Sequence, residues 1–176
     1  MKAYWIAALF AAPLAHAHIT IAPASAPAGA YQTLVFKVGH GCDGSATTGI
    51  TVQLPDGVTA KPMPKPGWTI NLVDGKLATP LHMHGKTITS AVREITWRGG
   101  PLPDAYYDEF TLQAKLPDAP GRYVFKVGQQ CEKGRVDWVD VAPAEGPASK
   151  TPAPVLDVVP PAMAMPMPMT MPMHHH

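Results

Sequence analysis

The chain has 176 residues, 46% of them hydrophobic, with 14 Lys and Arg against 13 Asp and Glu. That near-neutral balance, with no basic run, argues against charge-driven binding to nucleic acid or to an anionic membrane. The length, less a leader and a low-complexity tail, holds one domain with a single β-type core.

In chain order, the first feature is a charged start, Met1-Lys2, followed by an apolar run over 3–15 and the small-x-small triplet Ala15-His16-Ala17. The run is too short to span a bilayer, so 1–17 reads as a secretory signal peptide cut after Ala17. Processing there makes His18 the N-terminal residue of an exported protein, periplasmic or extracellular, with no membrane span in its mature form.

Strand signals dominate the chain beyond His18. Over 31–40, "YQTLVFKVGH" alternates, with Leu34, Phe36 and Val38 on one face and Val35 and Lys37 on the other. The stretch 49–58, "GITVQLPDGV", repeats the pattern and turns at Pro55-Asp56-Gly57, where proline presets φ and glycine permits a positive one. Further strands are expected over 68–77, 89–100, 108–117, 121–131 and 136–143, all short and bounded by Gly or Pro. None carries a sustained helical period. The fold class expected is all-β: an antiparallel β-sandwich of immunoglobulin or cupredoxin type, filling residues 18–143.

Beyond Pro143 the composition shifts. Residues 144–162 are rich in Pro and Ala, which reads as a flexible, extended linker. Residues 163–176 form a tail, expected to be disordered, with Met163, Met165, Met167, Met169, Met171 and Met173 at every second position before His174, His175 and His176. Thioethers suit Cu(I) and imidazoles suit Cu(II), so the tail reads as a copper-collecting tether. The competing readings are unselected low complexity and a residual affinity tag.

Two cysteines, Cys42 and Cys131, are an even count in an exported chain and imply a disulfide bond. His82 and His84 flank Met83 in 79–86; on a strand their imidazoles would share a face and could bind a divalent metal, whereas in a loop they would be solvated surface. His40, in a Gly-rich turn beside Cys42, reads as a structural histidine bonded to backbone.

His18 has the most chemistry to offer. A free N-terminal histidine can chelate with its α-amine and Nδ1, and a carboxylate would then add hard oxygen and cancel charge. Such N,N,O ligation in a tetragonal field suits Cu(II). The adjacent acids Asp108 and Glu109 are candidates, and alternation along a strand allows only one of them to join the site.

His18 at a cleavage site, then "FKVGHGCDGS" (36–45), "PKPGW" (64–68), "EITWRGGPLPDAYYDEF" (94–110) and "GQQCEKGRVDW" (128–138), occur in an order that resembles the YcnI-type family of exported copper-binding domains. The resemblance implies an all-β sandwich holding one Cu(II) in a mono-histidine brace. Carried over by motif, its residues are the amine and imidazole of His18, Glu109 and Trp138. Indole has no good lone pair to donate, so Trp138 would shield the ion and tune it. Trp138 can equally be a core tryptophan packed beside the disulfide, as in immunoglobulin-like sandwiches.

The function expected is that of an exported copper chaperone, carrier or buffer, not an enzyme, exchanging its ion with a donor or acceptor protein of the cell envelope. Two other classes stay open. One is a brace-type oxidative enzyme, which needs a second histidine, His82 or His84, folded back to His18. The other is a metal-free immunoglobulin-like interaction module.

Overall fold

A computed structural model of the chain describes residues 18–83, 85–141 and 149–161. The expected signal peptide, His84 and the Met/His tail lie outside the described residues. The architecture is all-β: twelve strands in three sheets, with no helix among the described residues.

The first sheet, in the order β1-β3-β8-β5, is built from β1 (Thr20–Ala22), β3 (Tyr31–Val38), β8 (Asp108–Lys115) and β5 (Thr59–Pro62). The second, in the order β11-β10-β4-β7-β6, holds β11 (Arg135–Trp138), β10 (Lys126–Cys131), β4 (Thr47–Gln53), β7 (Lys86–Leu102) and β6 (Trp68–Met83). Every pairing in both sheets is antiparallel.

Alternation decides the faces. Leu34, Phe36 and Val38 of β3 are fully buried, as are Phe110, Leu112 and Ala114 of β8. Opposite them stand Ile50, Val52, Ile95, Trp97 and Val127 of the second sheet, in one continuous core. Aromatic edges lock the layers: Phe36 meets Phe125 at 5.6 Å between ring centroids and Phe110 meets Trp97 at 5.7 Å. Burying each such side chain contributes about 1.5–3 kcal/mol. The turn at Pro55-Asp56-Gly57 forms as its residues dictate, with the Val58 amide donating to the Pro55 carbonyl across 3.2 Å and Gly57 at φ 81°.

Three expectations need correction. The stretch 121–131 is not one strand: β9 (Gly121–Val124) and β10 belong to different sheets. Between them Phe125 is fully buried and its amide donates to the Pro154 carbonyl instead of a strand partner. Likewise, the strand expected over 68–77 runs on to Met83, making a long β6–β7 hairpin whose last pair is Met83 with Lys86.

Finally, 144–162 is not a linker throughout. Val155–Val159 form β12, which pairs parallel with β2 (Ser25–Pro27) and antiparallel with β9 in the third sheet. Leu156 and Val158 point into the core while Asp157 faces out. The Pro and Ala content masked this short alternating "LDV". Asp140 draws the chain back toward the fold by accepting from Ser149 Oγ (2.5 Å) and Thr151 Oγ1 (2.7 Å), which hold its carboxyl below the usual range. The domain therefore includes β12 and does not end at Pro143.

Candidate metal centre

The Cys42–Cys131 disulfide is formed, joining the loop after β3 to the end of β10 across a sequence separation of 89. A covalent loop of that size stabilises by about 4–5 kcal/mol in the chain-entropy description. It also fixes one end of the sandwich, where several candidate residues meet.

Trp138 ends β11. Its register partner is the core residue Val127, so the indole points inward and is 4% exposed. Two imidazoles lie against it, both edge-on: His18 at 5.9 Å and His40 at 6.1 Å between ring centroids. Both histidines are half-buried. The indole Nε1–H donates to Gln129 Oε1 across 3.1 Å, which turns the nitrogen away from solvent.

Gln129 is the residue that sequence reasoning missed. Fully buried on β10, it spends its amide Nε2 on the His40 carbonyl (2.7 Å) and on Thr47 Oγ1 (2.8 Å). Thr47, also fully buried, lies 3.9 Å from Cys131 Sγ. A chain of polar contacts thus links disulfide, Thr47, Gln129 and Trp138. The available signal was a glutamine at an inward position of "VGQQC", between buried Val127 and Cys131.

His40 is held by its neighbours. Its Nδ1 lies 2.5 Å from the Gly41 carbonyl, and Gly41 N donates to Asp104 Oδ1 across 2.8 Å. A side chain at Gly41 would place its Cβ 1.9 Å from the Ser45 carbonyl oxygen, so only glycine permits this path. The backbone bond expected of a structural histidine is present, and the ring also joins the Trp138 group.

Glu109 lies two strands from β1. It pairs with Lys37, which pairs in turn with Thr20, so β3 separates it from the strand that His18 leads. Ideal strand spacings put His18 and Glu109 about 12 Å apart at Cα. The exposed Glu109 carboxylate accepts the Tyr107 hydroxyl, and that hydrogen bond, ahead of burial and the charges of Glu109 and Asp108, pushes the phenol up to about 12. Asp108 takes Lys65 Nζ at 2.6 Å.

His82, the described member of the histidine pair of 79–86, is not near His18. His82 is the last residue but one of β6, its Nδ1 3.2 Å from Thr87 Oγ1, in a cleft with Gly57, Lys115 and Pro117. Lys115 pairs with Tyr31, at the opposite end of the first sheet from the Val38–Asp108 pair. Among the described residues no three His, Cys, Asp or Glu side chains converge as a metal-holding group. What the arrangement offers is nitrogen chemistry at His18 and His40 against an aromatic wall.

Comparison with known proteins bears on the fold and on where the domain begins. A crystal structure of an uncharacterized protein from Nocardia farcinica, described as revealing an immunoglobulin-like fold, is 28% identical, with a TM-score of 0.63. The match covers 80% of this chain and 97% of that one. No curated protein matches. Residues 18–158 match a family described as a domain of unknown function, DUF1775, from His18 through most of β12. The chain belongs to the DUF1775 family, on an immunoglobulin-like β-sandwich.

Proposed function

We propose that this is an exported copper-binding protein, a carrier or buffer and not an enzyme, that holds one Cu(II) through the amine and imidazole of a processed N-terminal His18. The observation that carries the reading is the placement of His18: the family match starts there, where signal cleavage would cut, and its imidazole packs edge-on against Trp138. The resemblance in the linked motifs supports the choice of copper. Amine and Nδ1 close a chelate ring whose donor set suits Cu(II).

Trp138 acts as a wall. Its N–H is committed to Gln129, so the carbon edge and face are what the ion meets, excluding water from one side. Glu109 is the acid that the resemblance brings, and it would balance charge on exchanging Tyr107 for the ion. A site with few ligands, open on one side, releases its cargo to an acceptor protein in the cell envelope. The Met163–Met173 thioethers and His174–His176 gather Cu(I) or Cu(II) for it.

Copper-dependent stabilisation tests the proposal. Binding to the folded state alone adds RT ln(1 + [L]/Kd), about 2.7 kcal/mol at a hundredfold excess over Kd. The melting point should therefore climb with added Cu(II), less in Glu109→Gln than in Asp108→Asn. A melting point indifferent to copper would refute copper binding, and the reverse order of the two variants would mean that Asp108 is the ligand.

A further inference from the structure

The fold brings a second histidine, His40, against the same indole as His18. His18 and His40 share one indole, at 5.9 and 6.1 Å. Continuing the β1–β3 register two residues beyond the Thr20–Lys37 pair sets His18 beside Gly39, one residue from His40. Antiparallel neighbours lie about 5 Å apart at Cα, so both imidazoles leave adjacent backbone positions.

His40 is also prepared chemically. A carbonyl oxygen only accepts, so the contact with Gly41 makes Nδ1 the protonated nitrogen and leaves the lone pair of the neutral ring on Nε2. Proteins orient metal-binding histidines by the same device, one ring N–H donated to a carbonyl. The surroundings fix that orientation: Gln129 holds the His40 carbonyl, Asp104 holds the next amide, and the disulfide begins two residues on. A surface turn has no need of this many partners.

We infer that His40 is a metal ligand: its Nε2 supplies a third nitrogen beside the amine and Nδ1 of His18, with Trp138 walling one side. The inference rests on the proposed copper reading of His18 and deepens it. Three nitrogens occupy three equatorial positions of a tetragonal Cu(II) ion and leave the fourth for a carboxylate or water. The group escapes a count of three acidic, thiol or imidazole side chains because one of its donors is a main-chain amine that exists only after processing.

The test is pulsed electron paramagnetic resonance on the full processed chain, beginning at His18, with one equivalent of Cu(II). To keep other imidazoles out of the count, His174, His175 and His176 are replaced by alanine. Two coordinated imidazoles are expected, falling to one in His40→Gln with affinity weakened about 10- to 100-fold. One imidazole in the unsubstituted protein, with His40→Gln binding just as tightly, would overturn the inference and leave the His18 reading standing. Absence of any imidazole-bound Cu(II) would overturn both. The imidazole count before substitution does not depend on whether His40→Gln folds.

Discussion

Gln129 and Trp138 are joined across neighbouring strands by a buried hydrogen bond, indole Nε1 to Oε1 at 3.1 Å, and the same glutamine amide holds the His40 carbonyl. One side chain therefore sets both the wall and one imidazole of the candidate centre. Gln129→Leu, close in size, would leave the indole N–H, the His40 carbonyl and the Thr47 hydroxyl without it. Each buried orphan costs about 1–3 kcal/mol, so unfolding in urea should show a loss of at least about 3 kcal/mol. A loss within a few tenths of a kcal/mol would show that the network is dispensable.

The disulfide bounds the same corner. Replacing Cys42 and Cys131 together by alanine removes a covalent closure 89 residues apart. The double variant should lose about 4–5 kcal/mol of stability against urea in the oxidised protein, in line with loop-closure entropy. Adding reductant to the unsubstituted protein should reproduce the loss, whereas it should leave the double variant unmoved.

Strand β12 offers a test of where the domain ends. Leu156 is fully buried, so Leu156→Ala should destabilise by about 2–5 kcal/mol, the cost of a core cavity. A flexible linker would tolerate the change without effect. Chemical denaturation of the two proteins side by side decides between these outcomes.

Much of the fold is legible in local pattern. The inward set Leu34, Phe36 and Val38, the turn at Gly57 and the pairing of the two cysteines can all be read this way, since alternation and turn chemistry act over a few residues. The illegible part is non-local. Gly121 to Cys131 look like one strand because nothing in their alternation says that the chain changes sheets at Phe125. Five residues of β12 were hidden among prolines, and their role depends on β2 and β9, more than 100 residues and about 30 residues away respectively.

The candidate site divides in the same way. His18 stood out through its relation to a cleavage signal, and the family motifs pointed to Trp138. His40 looked like part of a turn, because its second role appears only when β11 carries Trp138 to it. Glu109 is attached to the centre by motif alone; in the register it lies beside Lys37, and its carboxylate accepts from Tyr107.

That last pair makes a pH prediction. The Tyr107 phenol is pushed up to about 12, chiefly by its hydrogen bond to Glu109, so its ultraviolet absorbance should titrate well above the ordinary value of 10.0. In Glu109→Gln the midpoint should fall back toward it. Below pH 10 the phenol is protonated both folded and unfolded, and its contribution to stability is complete. Between about 10 and 12 the unfolded phenol ionises first, so stability should decline as pH rises through that window. An unchanged midpoint in the variant would show that Glu109 does not hold the phenol.

Whether the free amine of His18 grips the metal is decided by a Cu(II) titration followed by electron paramagnetic resonance on two versions of the processed chain. One has the free His18 amine and in the other that amine is acetylated. A tight, nitrogen-rich signal is expected at one equivalent in the first and its loss in the second, because the added amide bond removes the amine donor. The same tight signal in both would contradict it.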